Sequence, residues 1–149
     1  MSAKIYSICF LAIALNIFIF SKPWAANLYV DNNLSQDIVN GSYSITNRSG
    51  GGNDGNAYRT IQAAVNAMSG GDDIYIRGGS YSEAVTIPVS IKDGTANNWS
   101  SMQSYPSEWA VINANQSSNY VIGRETYDKN GTNQHRYWRF ERLEITGGR

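Results

Sequence analysis

The carboxylate side chains that stand close together in the sequence are the first candidates for chemistry. Asp72 and Asp73 are adjacent, and Glu141 and Glu144 are separated by two residues. Calcium requires several oxygens that converge on one point, whereas glycoside hydrolysis requires two carboxyl groups at a defined separation across the sugar. A turn at a strand entrance explains Asp72 and Asp73 better than a metal does, and Glu141 and Glu144 lie at and beside a bend. The sequence therefore leaves the catalytic residues unknown and indicates no cofactor-binding or metal-binding residue.

Other side chains could transfer a proton or contact a ligand. His135 is the only histidine; a histidine titrates near neutrality, but this one lies in a polar segment where an exposed loop is expected. Basic residues could meet an acidic glycan, and aromatic rings could stack on sugars or simply pack a loop against the protein. The basic candidates are Arg124, Lys129, Arg136 and Arg139, and the aromatic candidates are Trp99, Tyr105, Trp109 and Tyr127.

The row of glycines between Gly50 and Gly55 suggests a nucleotide-binding loop by composition alone. A phosphate-binding loop ends in Gly-Lys-Ser or Gly-Lys-Thr and joins a strand to a helix, and this segment lacks both the ending and the setting. We therefore expect a flexible surface loop. The formal net charge of the 149 residues is zero and no basic patch stands out, which argues against nucleic acid as the main partner.

The amino-terminal residues have the layout of a signal peptide. Lys4 precedes an apolar run from Ile5 to Phe20, and Ala25 and Ala26 are small residues suited to a cleavage site. An uncleaved membrane anchor is the alternative, but the run is shorter than the roughly 20 residues that a bilayer span needs.

These features predict a signal peptide over residues 1–26 and a single secreted domain, extracellular or periplasmic, over residues 27–149. No membrane contact is expected after cleavage. The single cysteine, Cys9, leaves with the signal peptide, so the mature domain has no thiol for a disulfide or a metal site.

Residues 60–68 have the period of an amphipathic helix. Thr60 is a suitable N-cap, and Gly70 with Gly71 supplies a left-handed stop. Because so short a helix is marginal alone, its apolar stripe must pack on an apolar surface. The stripe consists of Ile61, Ala64, Val65 and Met68.

After this helix the apolar period changes to two, which is typical of strands. Turns are expected at 78–80 and 93–94, and a long polar loop is expected from Thr95 to Glu108. The predicted strands are 28–30, 73–77, 85–87, 89–91, 110–114, 120–122 and 137–146. In the last of them two inward pairs flank a two-residue bend, which is what a solenoid coil needs to turn a corner; the pairs are Trp138 with Phe140 and Leu143 with Ile145, and the bend is Glu141-Arg142.

The order of these segments resembles the amino-terminal cap and first coil of the pectate-lyase-like superfamily of right-handed parallel β-helices. The resemblance spans most of residues 27–149, and it is carried by NLYVD at 27–31, YRTIQAAV at 58–65, GDDIYI at 71–76, GSYSE at 79–83 and LEITGG at 143–148. It implies an all-β, right-handed, single-stranded parallel β-helix, of which this chain holds the amino-terminal part with one short capping α-helix. Gly79, Tyr81 and Glu83 are then expected to serve the turn after the first strand rather than catalysis.

The resemblance implies a secreted, carbohydrate-active protein. Enzymes of this superfamily act mainly on acidic, pectin-like polysaccharides, and the lyases among them use Ca²⁺ or Arg to stabilise charge on a uronate carboxylate, with Lys or Arg as base. Their catalytic groove lies beyond the first coils, so this chain is expected to be an incomplete, inactive front piece of a polysaccharide lyase, with Ca²⁺ possible only in the full-length protein. The alternative is a non-catalytic surface-binding, adhesin or structural β-helix.

Overall fold

The computed structural model describes residues 25–88, 93–124 and 137–149. They form short strands and one helix, so the predicted all-β class with a single short helix is confirmed. The strands are β1 (Asn27–Val30), β2 (Tyr43–Ser44), β3 (Ser49–Gly50), β4 (Asn56–Tyr58), β5 (Asp73–Ile76), β6 (Gly79–Tyr81), β7 (Val85–Ile87), β8 (Ser100–Ser104), β9 (Ala110–Asn113), β10 (Ile122–Arg124), β11 (Trp138–Glu141) and β12 (Leu143–Thr146), and the helix is α1 (Ile61–Ala67).

Parallel pairing joins strands that are distant in the sequence. The largest sheet has the order β11-β8-β5-β1-β4, a second has the order β12-β9-β6, and β10 pairs with β7. Every pair in these three sheets is parallel. The chain thus enters three sheets in turn through β5, β6 and β7, and then β8, β9 and β10 return to the same sheets in the same order.

Alternate side chains of these strands form the main core. In the largest sheet Leu28 lies opposite Ile74, and Ile74 lies opposite Met102. All three are buried, because a parallel register places each inward side chain beside an inward side chain of the next strand. Each buried aliphatic side chain of this kind stabilises the fold by about 1.5–3 kcal/mol.

Helix α1 covers one part of this core, as its apolar stripe predicts. Ile61, Ala64 and Val65 are fully buried and Met68 is nearly so. The Thr60 side chain caps the first turn by accepting a hydrogen bond from the Ala63 N–H at 3.1 Å. The end of the helix differs from the prediction, because Met68 already has an extended backbone, and the left-handed conformation comes only at Gly71, with φ +91°.

Glu83 also fixes the start of α1. Its carboxylate accepts hydrogen bonds from the Ile61 N–H at 2.9 Å and from the Gln62 N–H at 3.0 Å. Two of the backbone donors that every helix leaves unpaired are satisfied in this way, and a negative charge is favourable at this end of a helix. Tyr81 is buried, and its hydroxyl donates to the Arg77 carbonyl at 2.9 Å. Tyr81 thus contacts the β5–β6 corner, as expected, whereas Glu83 binds the start of α1 rather than the turn after the first strand.

The prediction of a long polar loop from Thr95 to Glu108 is wrong. Residues 100–104 form β8, a fully buried strand between β5 and β11. Serines occupy positions where an alternating strand usually has apolar residues. They are tolerated there because their hydroxyls form hydrogen bonds inside the fold. The Ser100 hydroxyl oxygen accepts from the Gly71 N–H at 2.8 Å, and that of Ser104 accepts from the Ala110 N–H at 3.1 Å.

Several boundaries also differ from the predictions. The turn expected at 78–80 is shorter, because Gly79 has φ +151° and already begins β6. The strand expected at 120–122 is β10, which begins at Ile122. The glycine row expected to form a surface loop begins at Gly50, the last residue of β3, which pairs with Tyr43 of β2 in antiparallel fashion. The strand predicted at 89–91 and residues 1–24 of the predicted signal peptide lie outside the described residues.

The bend predicted near residue 141 is present but narrower. Arg142 alone, with φ +52°, separates β11 from β12. Trp138 and Leu143 pack against the core, whereas Phe140 and Ile145 are 43% and 48% exposed. Both strands are the outermost of their sheets, so these two side chains have no further described strand beside them. Among the described residues, no helix has the length and apolar character needed to span a bilayer.

A buried ionic network joins the segment around β2 to the carboxyl ends of the strands. Asp31, which follows β1, is completely buried and accepts two hydrogen bonds from Arg48, at 2.9 and 2.5 Å. It also accepts one from the Tyr43 hydroxyl at 2.8 Å. Burial disfavours the charged carboxylate, but these donors outweigh it and hold the pKa of Asp31 below its ordinary value. Burial and the adjacent Asp31 raise the pKa of Tyr43 to about 12.

Arg77, which follows β5, extends the network. Its guanidinium donates to Glu108 at 2.6 and 2.9 Å, to the Tyr43 hydroxyl at 3.1 Å and to the Ile45 carbonyl at 2.8 Å. Glu108 also accepts from the Gly78 N–H. The hydrogen bonds from Arg77 outweigh burial and lower the pKa of Glu108. The network therefore holds the chain before β4, the β5–β6 corner and the β8–β9 corner together.

Acid should destabilise the protein through these two carboxylates. A carboxylate with a lowered folded-state pKa stabilises the native state above its unfolded-state pKa of about 4, and this contribution is lost as the pH falls through the folded-state value. We expect the free energy of unfolding, measured by urea denaturation, to fall below about pH 5. Asp31→Asn should cost about 3 kcal/mol at neutral pH and make the acid dependence shallower. Asp37→Asn, which removes an exposed carboxylate, controls for net charge, and an unchanged acid slope in Asp31→Asn would contradict the role of Asp31.

Candidate functional site

The outer face of the largest sheet carries a row of polar side chains. The register places Asp73 of β5 opposite Ser101 of β8, and Ser101 opposite Arg139 of β11. The next residues along β5 and β8, Ile74 and Met102, point into the core. Because successive side chains of a strand point to opposite faces, this row lies on the outer face. Parallel register thus brings an acid, a hydroxyl and a guanidinium side by side from three distant parts of the sequence.

A loop beside this row turns the flat face into a groove of about 420 Å³. The groove is open to solvent on one side. Asp73 and Arg139 lie on the sheet, and the loop before β8 supplies the remaining lining residues, which are Ala96, Asn97, Asn98 and Trp99. Three of the candidates that the sequence singled out, Asp73, Trp99 and Arg139, therefore come together here.

Hydrogen bonds within the loop fix its shape. Thr95 and Asn98 exchange two backbone hydrogen bonds, at 2.7 and 3.1 Å. The Trp99 indole N–H donates to the Ala96 carbonyl at 3.2 Å, and the Trp99 ring meets Tyr137 edge-on at 5.9 Å between centroids. The indole is thus held in place while 46% of Trp99 stays exposed.

The side chains on the sheet form a connected polar floor. The Ser101 hydroxyl donates to Asp73, and the Gln103 amide donates to the Ser101 hydroxyl oxygen at 3.1 Å. Arg142 donates to the Gln103 side-chain carbonyl at 2.8 Å. Arg139 forms an ion pair with Glu141, with its Nε 3.0 Å from Oε1. Positive and negative charges therefore alternate along the floor.

The acidic residues that the sequence singled out, apart from Asp73, do not form a common site. Asp72 is buried, and its two oxygens accept from the Ala26 N–H at 2.8 Å and from the Ser69 N–H at 2.7 Å. This is the turn role that the sequence predicted. Glu141 and Glu144 lie on different sheets, and Glu144 accepts from the Trp109 indole at 3.0 Å. They therefore do not face one another across a common site.

The other aromatic candidates lie away from the groove. The ring of Tyr105 lies below the Arg77 guanidinium, at 4.7 Å from its carbon to the ring centroid, and contacts Tyr75 at 6.3 Å. Tyr105 therefore packs the β8–β9 corner. Trp109 is 60% exposed. Burial raises the pKa of Tyr75 and of Tyr29, the two tyrosines next to this corner.

Some of the sequence candidates cannot be placed. His135, Lys129, Arg136 and Tyr127 lie outside the described residues, and Arg124 is described only as the last residue of β10, opposite Ile87. The sequence analysis missed Asn97, Asn98 and Ser101. Their signal was weak, because a polar run after the Asp93-Gly94 turn is also what an ordinary loop contains.

The groove is equipped for hydrogen bonding and ring stacking. Within residues 25–88, 93–124 and 137–149, no three His, Cys, Asp or Glu side chains converge as ligands of an ion. Carboxylate, amide and guanidinium groups beside an exposed indole are suited to binding a polar ring. Comparisons with protein-family models, with curated proteins and with solved structures found no match to this chain.

Gly94 should be essential for the shape of the groove. A Cβ at this position would lie 2.6 Å from the Asn98 carbonyl oxygen and 2.7 Å from the Ser100 N, both of which are backbone atoms. We expect Gly94→Ala to lower the free energy of unfolding by about 2 kcal/mol and to change the near-UV circular dichroism of the tryptophans. Gly50→Ala is the matched control, because its Cβ meets only an Ile38 methyl group at 3.8 Å. Equal stability of the two variants would show that the loop does not pack as described.

Proposed function

We propose that this chain forms the amino-terminal cap and first coils of a right-handed, single-stranded parallel β-helix of the pectate-lyase-like kind. The observation that carries the proposal is the repeated order of the sheets. Strands β5, β6 and β7 each have a parallel partner in β8, β9 and β10, and β8 and β9 have further partners in β11 and β12. Coils that stack on one another produce this order, whereas a meander of hairpins would pair neighbouring strands in antiparallel fashion.

The position of α1 supports the same proposal. A stack of coils has an open first coil with bare apolar interior, so a cap must cover it. The helix packs on β1, β4, β5 and β7, and its apolar stripe is buried there. A helix held by Thr60 and Glu83 on the first strands of the stack is suited to this capping role.

We further propose that the protein is secreted and acts on acidic polysaccharide by β-elimination. In this reaction a base removes the proton next to the uronate carboxylate, a carbon–carbon double bond forms, and the glycosidic oxygen leaves with its electron pair and takes up a proton. A cation must stabilise the charge that develops on the carboxylate. The support comes from the motif order of the sequence and from the β-helix proposal. Because no three His, Cys, Asp or Glu side chains of the described residues converge on one point, no step is assigned to Ca²⁺.

A non-catalytic carbohydrate-binding role is the second candidate. It is favoured by the groove itself, where Arg139 is paired with Glu141 at 3.0 Å and Asp73 is engaged by Ser101. In such a groove the charged groups are arranged to hold a ligand. Among the residues that line it, Arg139 is the one basic side chain, and its pairing with Glu141 makes it less suited to accept a proton.

The lyase proposal predicts an ultraviolet-absorbing product. The protein expressed from the complete reading frame, incubated with polygalacturonate, alginate and other uronate polymers, should release unsaturated uronates, whose double bond absorbs in the ultraviolet. Neutral polymers such as xylan backbones without uronate should give no signal, because they have no carboxylate that makes the adjacent C–H proton acidic. Absence of product from every uronate polymer would contradict the lyase proposal, and binding without product would favour the second candidate.

A further inference from the structure

The groove presents one aromatic surface in a fixed orientation. The only polar atom of the Trp99 indole is occupied by the Ala96 carbonyl, so what Trp99 offers to a ligand is apolar ring surface. Its contact with Tyr137 limits the tilt of the ring. An exposed, immobilised indole can bind the apolar C–H face of a sugar without losing conformational freedom on binding.

The polar groups around this indole are of both kinds, donors and acceptors. One carboxylate oxygen of Asp73 accepts from Ser101, and the other makes no hydrogen bond with the described residues. The side chains of Asn97 and Asn98 make none with them either, and each amide offers both a donor and an acceptor. Arg139 also lines the groove, and its Nε lies 3.0 Å from Oε1 of Glu141. Sugar hydroxyls, which donate and accept, can satisfy such a set.

The balance of charge decides between sugar classes. Arg139 and Arg142 are the described cations of the floor, and Asp73 and Glu141 are the described anions, with Arg139 and Glu141 in an ion pair. A uronate carboxylate in this groove would be repelled by Asp73 and would have to compete with Glu141 for Arg139, the cation that lines the groove. A neutral sugar carries no such cost.

We propose that this groove binds a neutral, hydroxyl-bearing sugar unit of a glycan. Trp99 stacks on the sugar ring, Asp73 accepts from its hydroxyls, and Arg139 with the asparagine amides donates to its oxygens. The proposal does not depend on the lyase proposal, because a neutral-sugar site would serve a catalytic or a non-catalytic β-helix equally. The groove would then prefer neutral sugars, whereas a uronate-binding cleft prefers acidic ones.

Titration calorimetry of the full chain tests this inference. The probes are neutral oligosaccharides of glucose, galactose, mannose or xylose units and a galacturonate oligomer of the same length. We expect at least one neutral oligosaccharide to bind and the galacturonate oligomer to bind at least about tenfold more weakly. Trp99→Ala and Asp73→Asn should each weaken neutral-sugar binding about tenfold or more.

Trp109→Ala is the matched control, because it removes an exposed indole outside the groove, 60% exposed against 46% for Trp99, and should leave binding unchanged. Asn97→Ala, an exposed change in the loop turn, provides a second groove variant if Trp99→Ala is poorly folded by circular dichroism, and it should also weaken binding. Failure of every neutral sugar to bind, or unchanged affinity in folded groove variants, would overturn the proposal. Preferred binding of galacturonate that becomes tighter in Asp73→Asn would overturn it in favour of an acidic ligand. The product assay with uronate polymers is independent of each of these outcomes.

Discussion

The hydrogen bonds and the ion pair of the buried Arg77 guanidinium are the interactions on which the arrangement of the fold depends most. It lies where β5 ends and bonds at the same time to Glu108, to Tyr43 and to the Ile45 carbonyl. These partners belong to the β8–β9 corner and to the segment around β2, so a single side chain joins three connections. Removing either partner of so buried an ion pair leaves a charge without compensation, which is far more costly than losing an exposed pair. The parallel strands themselves supply backbone pairing, but Arg77 with Asp31 fixes where the chain turns between sheets.

The groove depends on the same strand alignment. Asp73, Ser101 and Arg139 are neighbours only because β5, β8 and β11 pair in parallel and in this register. A slip of one residue would move all three side chains into the core and bring apolar side chains to the surface. The loop that carries Trp99 is anchored by its own backbone pair and by Tyr137. The specificity proposed for the groove therefore follows from the fold, since the alternating charges of the floor are set by the register.

The sequence alone predicts those helices and strands whose signals lie within a few neighbouring residues. Helix α1 was found from its stripe and its cap, and β5, β7 and β9 were found from apolar alternation bounded by turn residues. Strand β8 was missed because Ser100, Ser101 and Ser104 are polar, and their suitability for a buried strand becomes visible only when partners such as Gly71 and Ala110 are known. The ion pair of Asp31 with Arg48 spans 17 residues and has no local pattern. Asp73, Trp99 and Arg139 were each singled out, but their convergence depends on pairing that no spacing in the sequence reveals.

A crystal structure of the protein is the strongest test of the proposed coils of parallel strands. We expect right-handed coils in which Ile74 contacts Leu28 on one side and Met102 on the other, with Trp99 beside Asp73 and Arg139. Left-handed coils, an antiparallel partner for β8, or a loop in place of β8 would contradict it.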